Sequence, residues 1–445
     1  MFTPVPETNE APPQKGYYLA PSGMHDILPE QQGAWLKFRA ICEKEATQFG
    51  YGRIETPVLE FLKVFEKGTG AGTDVVEKEL YSLNTKGGEA LALRPEFTPG
   101  IIRAYLEHGL ASQPRPVRLF TLGPLFRHDR PQKGRFRQFH QLDFECINSD
   151  SAACDVEIIF VTFRILKKLG LKNFSFHVSS IGDPACRPAY ERQLKGHLRA
   201  HKSKLCGDCK RRLEKNPLRV FDCKEEKCQR VARVAPKIID NLCEACHRHF
   251  KETLEMLDEL EVPYQLNGNI VRGLDYYTRT VFEVLVTSDQ AGEVKSLALG
   301  GGGRYDGLAE VLGGRPTPAV GVALGVERLI DILAEQGNPL KGPVTTPQVF
   351  IAQLGFLAKK KALRLMADLQ TSGILVATAF DRDSLKSQLK AADRLKVPLA
   401  LIIGQREVIE ETVILRDMAD GTQEMVSFKK ALDLVKKRLA QLKKS

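Results

Sequence analysis

The stretch Phe126-Arg127-His128-Asp129-Arg130-Pro131-Gln132-Lys133-Gly134-Arg135, continuing through Phe136 to Glu145, decides how this chain is read. Residues 118–126 and 136–147 both have strand character. The loop between them carries Pro131 and Gly134, which predicts an antiparallel hairpin with a long connection. A strand period of two puts Arg137, Phe139, Gln141, Asp143 and Glu145 on one face. Phe136, Leu142 and Phe144 fall on the other, interrupted by Gln138 and His140. An antiparallel sheet with one wet side also has a polar face. However, an Arg, a Gln and two carboxylates in one row beside a cationic loop suit a ligand-lining face. Arg127, at the strand end, is placed for a bidentate contact to phosphate.

Working outward, residues 30–49 read as a helix with Trp35, Phe38, Ile41 and Cys42 at core-facing intervals, ended by Gly50. Residues 52–60 and 90–93 are short strand-like runs. The second leads into Leu93-Arg94-Pro95-Glu96-Phe97-Thr98, which displays a carboxylate and a hydroxyl just after a strand. Residues 156–169 form an amphipathic helix. From 183 to 262 the chain turns basic, Cys-rich and helical, the mark of an insertion. Strand character returns over 269–286, which includes Arg272-Gly273-Leu274-Asp275-Tyr276-Tyr277, and again over 294–299. The Gly run of Gly300-Gly301-Gly302-Gly303-Arg304-Tyr305-Asp306-Gly307 follows; it is no P-loop, because no Gly-Lys-Ser/Thr comes after it. Gly321-Val322-Ala323-Leu324-Gly325-Val326-Glu327-Arg328 reads as a small-residue strand entering a helix. Residues 337–347, with three prolines, read as a linker. Beyond them strands and helices alternate as in an α/β domain.

The chain has 445 residues, 43% hydrophobic and 27% charged, enough for well-packed cores in two or three domains. It contains no apolar run long enough to span a bilayer. Residues 1–15 carry Pro and acidic residues without a basic or apolar leader region, which predicts a short disordered tail on a cytoplasmic protein. The net charge of +10 is unevenly spread. Residues 341–445 hold 19 Lys and Arg against 11 Asp and Glu, and residues 197–249 hold 14 against 7. Two basic modules flank a mildly acidic body, a pattern that fits either solvated Lys-rich helices or a polyanionic partner.

In their order these motifs resemble the class II aminoacyl-tRNA synthetases, and within them the histidyl-tRNA synthetases. Residues 127–145 resemble class II motif 2 and residues 320–329 motif 3. Residues 272–283 and 301–307 resemble the two signatures of the histidine enzymes. Thr56-Pro57-Val58-Leu59-Glu60 resembles the end of motif 1, at the dimer interface of the class. The resemblance implies an α+β fold: an antiparallel sheet flanked by helices over 16–340, a helical insertion at 183–262 and an anticodon-binding domain at 348–445. It implies a homodimer that activates L-histidine with ATP and Mg²⁺ and then charges a histidine tRNA. Arg127 and Arg272 would hold the α-phosphate and Arg328 the nucleotide. Glu96, Thr98 and Gln141 would hold the α-amino group, with Glu145, Tyr277, Tyr276 and Tyr305 around the imidazole. Arg130, Gln132, Lys133 and Arg135 would face the acceptor end of the tRNA. A non-catalytic synthetase-like regulatory or RNA-binding protein is the alternative, although the signature residues are intact here.

The insertion adds Cys206-x2-Cys209, Cys223-x4-Cys228 and Cys243-x2-Cys246. Two CxxC pairs, Cys206 with Cys209 and Cys243 with Cys246, admit a structural zinc site; reduced cysteines are the other reading. The resemblance supplies no obligatory metal at this place.

Overall fold

The computed structural model describes residues 18–70, 72–130, 134–221, 223–270, 272–290, 293–342 and 346–442, with backbone alone at 215, 288–290 and 293–295. The expected disordered tail, Gln132 and Lys133 lie outside the described residues. The chain divides into two compact units, Met1–Gly342 and Pro343–Ser445.

The first unit carries strands β1 (Gly52–Arg53), β2 (Leu59–Phe61), β3 (Ser82–Asn84), β4 (Ala90–Leu93), β5 (Val117–Phe126) and β6 (Gln138–Ile147). They are followed by β7 (Phe174–Ser180), β8 (Tyr264–Leu266), β9 (Thr278–Gln290), β10 (Glu293–Arg304) and β11 (Ala319–Gly325). Among the described residues, eight of them form one sheet in the order β1-β5-β6-β11-β10-β9-β7-β8. The pairing is antiparallel except at the two ends, β1 with β5 and β7 with β8. Strands β2, β4 and β3 make a small separate sheet.

Alternation along β6 sets which face is closed. Leu142, Phe144 and Cys146 turn into a large apolar core with Phe38, Phe282 and Leu329. That core buries the inner faces of the helices Pro29–Gln48, Ala152–Leu169 and Val326–Glu335. The helix Ala152–Leu169 has clear end signals: Ser151 Oγ accepts from the Ala153 amide at 3.3 Å, and Gly170 closes the helix at φ 79°. The insertion supplies the helices Arg187–Ala200, Gly207–Lys215, Glu226–Arg233 and Glu244–Glu259.

One expectation is corrected. Residues 272–277 are not part of a strand. Strand β9 starts only at Thr278, and Arg279 stands at a left-handed φ of 51°, which breaks the alternation that a strand over 269–286 would need. The Gly run, to which the sequence reading assigned no element, is strand. Gly300 to Gly303 lie inside β10, paired with β9 on one side and β11 on the other. Glycine is unfavourable in a strand, but here a Cβ on Gly300 or Gly302 would collide with the backbone of β11.

In the second unit, β12 (Val349–Gln353), β13 (Val376–Thr378), β14 (Leu399–Ile403), β15 (Thr412–Asp417) and β16 (Gln423–Ser427) form a sheet in the order β13-β12-β14-β15-β16. Val349, Ile351, Leu399 and Leu401 pack on one face against the helices Phe356–Thr371 and Phe428–Leu442. Phe350, Ala352, Ala400 and Ile402 pack on the other with Leu385 and Leu389. Burial on both faces explains why β12 and β14 are continuous apolar runs without alternation. Among the described residues no helix is long and apolar enough to cross a membrane.

Candidate active site

The open face of the large sheet holds two connected cavities. The inner one, about 380 Å³, is lined by Glu96, Gln141, Asp143, Arg272, Tyr277 and Tyr305. The outer one, about 330 Å³, is lined by Glu79, Arg135, Arg219 and Phe139 and shares Arg127, Gln141 and Arg328 with the first. Their floor is nearly free of side chains. Gly321 pairs with Glu145, and a Cβ there would overlap its carboxylate. A Cβ on Gly301 would come within 2.6 Å of Arg272 Nη1. The space is therefore made by backbone where β10 and β11 pass beneath the functional side chains.

Two buried acids, Glu96 and Asp143, line the inner cavity, and a third, Glu145, is bonded to two residues of its lining. Thr98 donates to Glu145 Oε1 at 2.7 Å, and the Tyr305 hydroxyl donates to Glu145 Oε2. Burial pushes the Glu145 carboxyl up to about 8, against the pull of those two donors. Thr69 and Tyr276 donate to the two oxygens of Glu96 at 2.6 and 2.7 Å. Burial raises Glu96 as well. Asp143 is raised well above the usual carboxylate range, first by burial and then by the charges of Glu145 and Glu96. Asp143 Oδ1 and Gln141 Oε1 are buried acceptors with no donor among the described residues.

The cations stand opposite. Arg272 donates to Glu283 Oε1 at 3.0 Å and lies over the Tyr277 ring, with its Nε buried and unpaired among the described residues. Arg127 Nε donates to the Pro95 carbonyl at 2.9 Å, and its guanidinium covers the Phe139 ring. These contacts leave the outer edge of that guanidinium toward the cavity. Arg328, in the first turn of Val326–Glu335, donates to the carbonyls of Gly134 and Ala298 at 2.8 and 3.0 Å. Burial and the nearby charges of Arg135 and Arg127 lower its pKa, so an anion between the three would relieve the repulsion.

The structure thus brings Glu96, Thr98, Gln141, Glu145, Arg127, Arg272, Tyr276, Tyr277, Tyr305 and Arg328 to one place. Tyr276 packs at 4.7 Å on Tyr277 and edge-on at 5.7 Å on Tyr305. Arg130 is exposed on the connecting loop, and Arg135 is held by Asp129 at 2.9 Å. The cysteine grouping is corrected. Cys206 and Cys209 meet Cys223 and Cys228, while Cys243 and Cys246 meet Asp183 and Cys186. A single site of Cys206, Cys209, Cys243 and Cys246 is not formed, because each CxxC pair gathers with a different set of ligand atoms.

Some contributors were not singled out from sequence. Asp143 was visible in the polar row, and its unpaired buried oxygen is the added signal. Thr69 and Glu283 carry no motif of their own. Arg219 lies in a basic run that reads as solvated surface, yet it is mostly buried, reaches Asp74 at 3.0 Å and lines the outer cavity.

Comparison with known proteins agrees with this geometry. The family model "Histidyl-tRNA synthetase" matches residues 23–329, and "Anticodon binding domain" matches residues 348–438. A histidine–tRNA ligase of Pelotomaculum thermopropionicum is 44% identical over 96% of this chain and 99% of its own. One from Dehalococcoides mccartyi is 43% identical over 95% and 100%. The crystal structure of apo S. aureus histidyl-tRNA synthetase superposes with a TM-score of 0.76 at 30% identity, covering 94% of this chain and 100% of that one.

Proposed function

Because the chain belongs to the histidyl-tRNA synthetase family and is a histidine–tRNA ligase, we propose that its two cavities divide the small substrates, histidine in the inner and ATP in the outer. The observation that carries this reading is the Glu145 carboxyl, buried and clasped by Thr98 and Tyr305, which line the inner cavity together with Tyr277. Imidazole offers one donor and one acceptor, and a carboxyl and a phenol answer both. A ring lacking those nitrogens would leave buried polar groups unpaired and be rejected. The α-ammonium goes to Gln141 Oε1 and Asp143 Oδ1, together with Glu96 and Thr98. Its positive charge suits a cluster of acids that burial has raised.

This arrangement turns the histidine carboxylate toward Arg127 and Arg272 at the junction of the cavities. The carboxylate attacks the α-phosphorus and pyrophosphate leaves. The obstacle is an anion approaching a polyanion, so the work is positioning and charge stabilisation, with no protein nucleophile. Arg272 meets the α-phosphate from the inner side and Arg127 from the outer; Arg328 faces the nucleotide. The family uses ATP with Mg²⁺, which offsets phosphate charge. Glu79, a half-buried carboxyl raised by burial in the outer cavity, offers an oxygen fit for a hard cation. The aminoacyl group then passes to the tRNA terminus, with Arg130, Gln132, Lys133 and Arg135 on the acceptor end and the basic unit 348–445 on the anticodon.

Val58, Leu59 and Phe61 are exposed apolar residues in and just after the motif 1 segment, which supports a homodimer through that surface. The cytoplasm, where tRNA is charged, is the compartment this activity implies. Histidine-dependent exchange of pyrophosphate into ATP tests the reading. Exchange that proceeds equally well without histidine, or not at all, would overturn it.

A further inference from the structure

The insertion reaches the candidate site at two points, and each is backed by a cluster of ligand atoms. At the first point, Arg219 sits on the helical turn Pro217–Val220, whose last carbonyl accepts from the Cys223 amide at 3.2 Å. At the second, Arg187 donates to the Tyr277 carbonyl at 2.6 Å, and Gly182 accepts from the Arg279 amide at 2.7 Å.

Behind the first point, the sulfurs of Cys206, Cys209, Cys223 and Cys228 all lie within 4.8 Å of one another, with Cys206 and Cys223 at 3.8 Å. Sulfurs about 2.3 Å from a tetrahedral zinc ion stand about 3.8 Å apart. A disulfide would instead draw a pair to about 2.05 Å. Behind the second point, a carboxylate oxygen of Asp183 joins the sulfurs of Cys186, Cys243 and Cys246, again within 4.8 Å. Cys186 and Cys246 are 3.9 Å apart, and Asp183 Oδ1 lies 3.6 Å from Cys186 and 4.0 Å from Cys243. An oxygen at about 2.1 Å and a sulfur at about 2.3 Å from one zinc ion are about 3.6 Å apart.

The surroundings suit thiolates. The Cys209 amide points at Cys206 Sγ at 3.4 Å, the Cys206 amide at Cys228 Sγ at 3.2 Å, and the Asp183 amide at Cys186 Sγ at 3.4 Å. Gly182 is part of the same design: a Cβ there would come within 2.6 Å of Cys186 Sγ. Cys209, Cys223 and Cys228 are themselves members of the insertion's apolar core, packed with Leu205, Leu213 and Val220.

We propose that the insertion is a two-zinc module. One ion is held by Cys206, Cys209, Cys223 and Cys228, the other by Asp183, Cys186, Cys243 and Cys246. Four protein ligands close each coordination sphere, so both ions are structural. Binding displaces the thiol protons to solvent. The first ion braces the turn that carries Arg219. The second ties the start of the insertion to its end and fixes the segment bearing Tyr277 and Arg279. The carboxylate makes the second site the harder and weaker one, and it loses its ion to a chelator first. The placement of Arg219 and Tyr277 rests on the substrate reading above; the zinc content does not.

The test is elemental analysis of the full-length chain, purified under reductant and reconstituted anaerobically with zinc, then desalted. Two zinc ions per chain are expected, and one or fewer overturns the proposal. Cys223→Ser and Cys243→Ser should each retain one ion. If either variant fails to fold, the cobalt-substituted wild-type protein decides. Strong sulfur-to-cobalt charge transfer and intense tetrahedral d–d bands support the assignment; weak octahedral bands overturn it. Zinc is read without any substrate, so a zinc-replete chain that lacks exchange activity would refute the substrate reading and leave this one standing.

Discussion

Strand β6 presents two faces built on opposite principles. Leu142 and Phe144 are fully buried among aromatic and aliphatic neighbours, and their contribution is measured in area removed from water. One residue along in either direction, Asp143 and Glu145 are equally buried, but among acids and phenols, and Asp143 Oδ1 has no donor among the described residues. The first face is complete without a ligand. The second bears uncompensated desolvation that only a ligand can offset, so stability and activity reside on different sides of one strand.

Substitutions can break or sharpen that contrast. Phe144→Ala should produce the largest loss, ~3–5 kcal/mol of stability in urea unfolding, with the histidine KM of the folded fraction within about twofold. A large KM change would mean that the faces are not independent. Arg272→Ala should lower histidine-dependent exchange about 10²–10³-fold with little change in tRNA binding; activity above a tenth of wild type would remove Arg272 from the phosphate. Glu145→Gln should raise the histidine KM about 100-fold.

Glu145→Gln also has a stability signature with a definite sign. The folded pKa of about 8 lies above the ordinary carboxyl value of 4.5, so the folded state favours the protonated form. Stability tied to that proton is fully present below about pH 4.5 and is lost as pH rises toward about 8. Wild type should therefore weaken relative to the variant by ~2–4 kcal/mol across that window, and a pH-independent difference would contradict the buried carboxyl. Gly321→Ala pushes on the same carboxylate from below and should raise the histidine KM about 10-fold while sparing that for ATP, read in separate titrations. Arg219→Ala is expected to have the smallest effect, a two- to fivefold rise in the ATP KM of about 1 kcal/mol or less. No change at all would reduce Arg219 to a partner of Asp74.

Much of this division could be read along the chain. The period of two in 136–147 separates the faces correctly, because burial on one side of an antiparallel strand leaves a clean alternation. The helix read over 156–169 from its amphipathic spacing ends where expected, but it starts a turn earlier, at Ala152, behind the Ser151 cap. What was misread or left unassigned has physical reasons. Glycine lacks intrinsic strand preference, so only the presence of β9 and β11 on either side keeps Gly300 to Gly303 extended. Tyr276 and Tyr277 leave the strand pattern because Arg279 adopts a positive φ that composition does not announce. The cysteines were grouped by motif, whereas folding pairs the beginning of the insertion with its end. Arg219 was invisible because a buried arginine and a solvated one look alike in a basic run.

The acids of the inner cavity have one more consequence. Burial raises Glu96, Asp143 and Glu145, and Glu145, pushed up to about 8, holds near neutral pH a proton that the unfolded chain would have released. An incoming ammonium group favours the charged carboxylates and drives a proton out to the medium. Histidine recognition is then an exchange of ions, an amine in and a proton out. Its calorimetric heat should vary with the ionisation enthalpy of the buffer, and the slope should count the protons expelled.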